Sequence, residues 1–321
     1  VTILLYHRVG DERYPSTNVT LEGFRQQMSY LGEAGFTVVS TKEVEAHLLQ
    51  GTPLPPKAVA IQFDDGFRSV YQNAYPVLKE LGHPFAIFLP TQAIEKGYGD
   101  YVTWAMVAEM AANGAEIANH SNTHPRLGMP SKGQSPEDYS GQIADELGRS
   151  IELLKKHGYP VNWLAYPYGE YNKELMEATR AAGFALGFAQ NPGAVGRGHD
   201  PYGLPRFAVV GATSDFKVFK ERLGYKPLVF AQMSPDVGVL ESGSPGVFKA
   251  RVADPSLYRS GEVNLFVSEL GRLEATFDSS TGWIVAESTK PLTRRLNRVL
   301  ISLRSRAGGF ALTSWSVLLK P

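Results

Sequence analysis

Two carboxylates stand side by side in Phe63-Asp64-Asp65-Gly66. They follow the apolar run Ala58 to Ile61, which places them at the carboxyl end of a strand, where β/α barrels build active sites. Adjacent residues point in different directions, so one carboxylate can bind a metal ion while its neighbour faces a substrate as a base. An Asp before a helix is also an ordinary cap, and the pair alone does not choose between these roles. A second constellation, His120-Ser-Asn-Thr-His124, ends the strand-like segment Ala115 to Asn119. With 7 His in 321 residues, chance supplies about 0.15 pairs at that spacing, so the pair is suggestive. Two imidazoles and one carboxylate, with room left for water, form a recurrent catalytic zinc or iron set.

Two further groups fall at the same rim, and one aromatic is a candidate for substrate contact. Ala165-Tyr166-Pro167-Tyr168-Gly169 ends another strand, and its Pro and Gly hold a tight backbone course that can aim an N–H inward. His7 ends the first strand. Trp104, in Val102-Thr-Trp-Ala105, has the ring to stack on a sugar, although burial is the commoner fate of an aromatic.

The elements that must carry these groups alternate in type as far as about Leu223. Short β-branched or apolar runs at 2–6, 36–39, 58–63, 84–89, 115–119, 162–166, 184–188 and 206–210 read as strands. Between them lie amphipathic stretches with start signals at Thr20, Thr41, Thr103, Ser135, Asn172 and Ser214. One, after Ser135-Pro136, carries Ile143, Leu147, Ile151 and Leu154 on one face and stops at Gly158. Strict alternation of seven or eight strands with helices favours a closed or nearly closed β/α barrel over 1–224.

After Pro227 the helical period gives way to alternation at period two, as in Phe248, Ala250 and Val252, or Val299, Ile301 and Leu303. Residues 225–321 therefore read as a β-sandwich of immunoglobulin or fibronectin size. Arg298, Arg304 and Arg306 share the opposite parity and should line a solvated face. Every chemical group named so far precedes Leu223, so a barrel cut before residue 227 is expected to fold and act on short substrates.

Composition narrows the partners. Lys and Arg total 32, as do Asp and Glu, and this balance argues against a dedicated binder of nucleic-acid backbone. There is no Cys, which excludes disulfides, thiolate metal sites and Cys nucleophiles. No apolar run reaches the roughly 18 residues of a membrane span. The sequence begins directly in the strand-like Val1 to Tyr6, so any signal peptide is expected outside it.

Taken together, Phe63 to Gly66, His120 to His124 and Tyr166 to Gly169 resemble, in order, the three main motifs of the polysaccharide deacetylases of the NodB-homology type, carbohydrate esterase family 4. The resemblance covers about residues 1 to 223. It implies a distorted (β/α)7 barrel, one divalent ion (zinc first, cobalt or nickel as alternatives) on Asp65, His120 and His124, Asp64 as general base, and the Tyr168 N–H as oxyanion donor. Tyr166 and Pro167 would contact substrate, with Trp104 and Arg206 as further candidates. The implied reaction is hydrolysis of N-acetyl groups from β-linked amino sugars, outside the cytoplasm. Two family features are missing: Ala165 stands where an Arg commonly orients the base, and the late Leu-x-His motif that supplies the acid has no counterpart. The Tyr6-His7-Arg8 opening and Ala165 to Gly169 resemble the poly-β-1,6-N-acetylglucosamine deacetylase branch. On that basis His7 is the expected acid, Arg206 a possible orienter of Asp64, and an exopolysaccharide of the biofilm type the first substrate.

The alternatives are a peptidoglycan or chitin-oligosaccharide N-deacetylase, an O-acetyl esterase of the same family, a carbohydrate-binding or adhesion protein with an idle barrel, and a glycosidase. Adjacent carboxylates do not supply the opposed pair, at least about 5 Å apart, that a glycosidase needs. The β-sandwich is the expected point of contact with a glycan or the cell surface.

Overall fold

The computed structural model describes residues 1–320. Eight parallel strands form the first sheet: β1 (Thr2–Tyr6), β2 (Thr37–Val39), β3 (Ala58–Phe63), β4 (Phe85–Leu89), β5 (Ala115–Asn119), β6 (Trp163–Ala165), β7 (Leu186–Phe188) and β8 (Phe207–Ala208). Their order is β8-β1-β3-β4-β5-β6-β7, with β2 beside the first half of β3. Strands β1, β3 and β4 are buried along their whole length, as expected where a parallel sheet has both faces covered. The end strands β7 and β8 share no ladder; Phe188 of β7 instead forms a parallel bridge with Leu204, three residues ahead of β8. The sheet therefore curls into a half-barrel with one weak seam.

Helix starts follow the sequence signals with two shifts of one residue. Thr20, Thr103, Ser135 and Asn172 cap as expected. Ser40, rather than Thr41, caps the next helix because Glu43 completes a reciprocal box with it, and Asp215 replaces Ser214 because its carboxylate accepts from two backbone N–H groups. The longest helix, Pro136–Lys156, buries Tyr139, Ile143, Leu147 and Leu154.

Two further sheets follow. One has the order β9-β11-β15-β14, made of Phe230–Ser234, Val247–Val252, Trp283–Glu287 and Ala275–Asp278. The other has the order β10-β17-β16-β12-β13, made of Gly238–Leu240, Phe310–Leu319, Leu296–Ser305, Tyr258–Val267 and Gly271–Leu273. Phe248, Ala250 and Ile284 from the first share one apolar cluster with Leu265, Val299, Ile301, Leu303 and Trp315 from the second.

The outer face of β16 and β17 is partly covered and opens to solvent only toward Arg304 and Arg306. Leu300 packs against the barrel core, and Leu312 belongs to that core. The Arg298 Nε is buried without a partner, whereas Arg306 alone of the three expected surface arginines is exposed. The reason is that the barrel covers this side of the sheet. Hydrogen bonds tie the seam: Ala194 N–H donates to Leu312 O at 3.2 Å and Lys226 N–H to Phe310 O at 2.9 Å. The Ser314 and Ser316 hydroxyls donate to Pro192 O and Asn191 Oδ1, each at 2.6 Å. At Gly193 an added Cβ would lie 3.0 Å from Thr313 Cα, so only glycine allows the two chains so close.

Candidate active site

Four strand ends converge on one rim. His7 follows β1, Asp64 and Asp65 follow β3, His120 follows β5 and Tyr166 follows β6. Asp64 continues the ladder, its N–H donating to Tyr6 O at 3.0 Å. The next peptide turns sharply: Asp65 has φ 71 and Gly66 φ 64. A Cβ on Gly66 would meet Leu89 Cδ2 at 2.8 Å, so a larger residue here would disturb the strand next door. The turn sends the two carboxylates apart.

Asp64 faces inward and is fully buried. Arg206, equally buried, grips it through two terminal nitrogens at 2.8 and 2.7 Å. Its Nε donates to Ala189 O at 2.8 Å, and one terminal nitrogen also reaches Gln62 Oε1 at 3.2 Å. Such a fork holds a carboxylate in one orientation. Burial alone would raise the Asp64 carboxyl, but the Arg206 and His120 charges outweigh it and hold the group below its ordinary value.

Asp65 turns toward the two histidines. Its Oδ1 lies 3.2 Å from His120 Nε2 and 3.1 Å from His124 Nε2, and the two Nε2 atoms are 3.2 Å apart. His120 Nδ1 is 2.7 Å from Ala165 O; a carbonyl only accepts, so Nδ1 carries the proton and Nε2 presents its lone pair. Three donor atoms thus face one point. Their spacing matches the edge of about 3.3 Å that a tetrahedral ion with bonds of about 2.0 to 2.1 Å requires. The residues fit a zinc-type ion by donor chemistry and by size.

The loop carrying His124 is tightly held. Ser121 N–H donates to Asn119 Oδ1 at 2.7 Å, and His124 N–H donates to Ser121 Oγ at 3.0 Å. Glu146 accepts from the N–H groups of Asn122 and Thr123, and from the Thr123 hydroxyl at 2.6 Å. One turn further along the same helix, Ser150 Oγ accepts from Asn119 Nδ2 at 2.8 Å. Among the described residues, five non-glycine residues have positive φ, and Asp65, Ser121, His124 and Tyr168 are four of them. Such conformations cost roughly 1 to 3 kcal/mol each and persist only where the surroundings over-determine them.

The remaining residues divide. Tyr168, at φ 60, is 40 % exposed, its ring 4.6 Å from that of His124. Tyr166 is fully buried and donates its hydroxyl to Tyr202 O at 2.8 Å, and Pro167 is buried beside it. Neither side chain offers the expected surface to a substrate, because both pack behind the turn that presents Tyr168. Arg206 likewise turns to Asp64 and not to solvent. Trp104 stacks on His157 at 3.8 Å and donates to Glu95 at 2.8 Å, so one ring face is already covered and none of these partners belongs to the cluster.

His7 is buried, which pushes its imidazole below the ordinary value against the opposing pull of Asp65 and Asp64. Its Nε2 lies 3.1 Å from Gln190 Nε2, and its Nδ1 is buried without a partner. Sequence reasoning missed Gln190, although its place two residues beyond β7 put it at the same rim. It also missed Glu146, whose only signal was a carboxylate on the inner face of the long helix, and Glu170 and Arg126, which gave no signal.

Comparison with known proteins bears on this arrangement. The profile of the family described as polysaccharide deacetylase matches residues 51–187. YxkH of Bacillus subtilis (strain 168), a predicted polysaccharide deacetylase, is 31 % identical over 207 residues, covering 64 % of this chain and 70 % of that protein. The poly-β-1,6-N-acetyl-D-glucosamine N-deacetylase of Staphylococcus epidermidis is 28 % identical over 208 residues, covering 62 % and 71 %. The structure of IcaB from Ammonifex degensii superposes with a TM-score of 0.59 at 29 % identity, covering 68 % of this chain and 94 % of that one.

Proposed function

The chain belongs to the polysaccharide deacetylase family, and from that premise we propose that it removes N-acetyl groups from a β-linked N-acetylglucosamine polymer, poly-β-1,6-N-acetylglucosamine first among them. The observation that carries this reading is the convergence of Asp65, His120 and His124 beside the Arg206-held Asp64. The similarity to the named poly-N-acetylglucosamine deacetylase supports the polymer and an extracytoplasmic location. Among the described residues, no helix is long and apolar enough to cross a membrane.

Asp65, His120 and His124 would hold one divalent ion, zinc foremost, which when bound supplies an acidified water and a Lewis acid for the acetamide carbonyl. Asp64, kept ionised and fixed by Arg206, takes the proton of the attacking water. The Tyr168 N–H donates to the oxyanion that develops on the carbonyl oxygen. An amine leaves poorly unless protonated, and in this reading His7, at the end of β1, delivers that proton. Gln190 can serve either state of His7, because its amide has a donor end and an acceptor end. In this reading Arg206 does for the base what the missing arginine at position 165 does elsewhere in the family, and the Ala165 carbonyl orients His120.

The C-terminal sheets, 225–321, fit an immunoglobulin- or fibronectin-like accessory domain, with a glycan as its partner. Acetate release tests the whole reading, measured on β-1,6- and β-1,4-linked N-acetylglucosamine oligomers, peptidoglycan and acetylated xylan. Release from the β-1,6 oligomer that is abolished by chelation and restored by zinc is the expected result. Absence of release from every substrate by zinc-loaded protein would leave the idle-barrel alternative standing. Preference for xylan would move the activity to an ester.

A further inference from the structure

The C-terminal sheets reach the active-site rim through a buried carboxylate. Glu170, two residues beyond Tyr168, is fully buried and belongs to neither the metal cluster nor the base. Arg295, in the turn that enters β16, donates to it through Nε at 3.3 Å to each oxygen and through a terminal nitrogen at 3.1 Å. Arg126, two residues beyond His124, donates to the other side of the same carboxylate. The Arg126 guanidinium carbon then lies 3.9 Å from the centroid of the Tyr168 ring, and that ring lies 4.6 Å from the ring of His124. Beneath the carboxylate, a Cβ on Gly128 would sit 2.7 Å from Glu170 Cβ and 2.8 Å from Leu318 Cδ1 of β17. The Tyr168 loop is thus clasped between the barrel and the C-terminal sheets.

Each link has a physical reason. A carboxylate without access to water needs its charge met, and two planar guanidiniums meet it with directional bonds. Arg126 remains about half exposed, so nothing but Glu170 and the aromatic face keeps it over Tyr168. Tyr168 has a left-handed backbone and an exposed side chain, and left alone it would relax.

We propose that Arg295 is a positioning residue for the deacetylation: by meeting the charge of Glu170 it fixes Arg126 over Tyr168 and holds the Tyr168 turn beside His124. This rests on the deacetylase reading above and extends it to the C-terminal sheets, which become part of the catalytic scaffold.

The test uses the full chain loaded with zinc. Arg295→Ala should lower kcat about 10- to 100-fold, the scale of a small misplacement of reacting groups, with KM and zinc content unchanged. Arg295→Lys should recover part of the loss, since an ammonium restores the charge without the fork. Arg126→Ala, which leaves the Arg295 pair intact, should lower kcat to a similar extent. Hydrogen exchange provides a readout independent of activity: the amides of Tyr166 and of 168–170 should exchange faster in Arg295→Ala, while those of β3 stay protected. Wild-type kcat and unchanged exchange at 166 and 168–170 in Arg295→Ala overturn the proposal. If Arg295→Ala unfolds or loses zinc, Arg126→Ala decides, and wild-type kcat there overturns it. If the wild-type protein releases no acetate from any substrate, the deacetylase reading falls, and the exchange result alone judges the clasp.

Discussion

The barrel and the C-terminal sheets handle charge and backbone strain in opposite ways. The barrel buries His7, Arg8, Asp64, His120, Glu146, Glu170 and Arg206, and it holds every non-glycine residue with positive φ among the described residues. Among the described residues, the sheets bury no charged residue to that degree, only Asn297 and the hydroxyl groups of Ser and Thr. Strand β11 alternates exposed and buried without interruption. Local preference and global fold agree along that strand, whereas the barrel departs from both at one rim. Departures of that kind concentrate where a protein does its chemistry. The seam joins the two regions, so the sheets help to stabilise what the barrel strains.

Removing residues 227–321 is the harshest challenge to that division of labour. It strips Leu312 from the barrel core and uncovers surface now met by Leu300. Full burial of each such side chain is worth about 1.5 to 3 kcal/mol. The truncated barrel is therefore expected to be insoluble or molten. A soluble truncated barrel with a cooperative thermal transition would show that the regions are independent, as the sequence alone suggested.

Within the barrel, Asp64→Asn should retain zinc and lose about 10²- to 10⁴-fold in acetate release, since an amide cannot accept the proton. Asp65→Asn should instead lose the ion. Equal metal loss in both variants would exchange or cancel the proposed roles. His7→Ala should lose on the order of 10²-fold on an acetamide. It should lose far less on a phenolic acetate, whose leaving group departs without protonation; equal slowing of both would make His7 a positioning residue.

Two arginines sharpen the comparison energetically. Arg206→Met leaves a buried carboxylate without its partner and should cost about 3 to 5 kcal/mol in denaturant unfolding. Arg304→Met removes a pair at 4.0 Å with Glu262 on the sheet surface, and such exposed pairs are worth about 0 to 1 kcal/mol. Equal costs would erase the contrast.

The smallest effect concerns pH. Glu269 is held at about 2 by the Thr293 hydroxyl and the Arg294 N–H, among others. A depressed folded pKa contributes stability that is fully present above the ordinary 4.5 and fades as pH falls toward about 2. Glu269→Gln should therefore be less stable than the parent at pH 6, with the gap narrowing below pH 4.5. A gap that is constant with pH would assign the cost to lost geometry.

What the sequence determined by itself was local. Period and end signals placed all eight barrel strands, and they placed Asp64, Asp65, His7 and His120 at strand ends, because a strand's carboxyl end is written in the residues that terminate it. The four-residue spacing of His120 and His124 likewise brought two imidazoles into one loop. Tertiary structure decided which groups meet across the curl of the sheet. Arg206, which only the family resemblance put forward as an orienter, grips Asp64 from 142 residues away, Ala165 orients His120 through a carbonyl that no side-chain pattern reveals, and Gln190 meets His7 across the weak seam between β7 and β8. The second face of β16 was misjudged for the same reason: alternation tells which residues share a face, but not whether that face meets water or another layer of protein. Strand ends are encoded in neighbouring residues, whereas the partner of a buried charge depends on how far the sheet curls and on what packs against it.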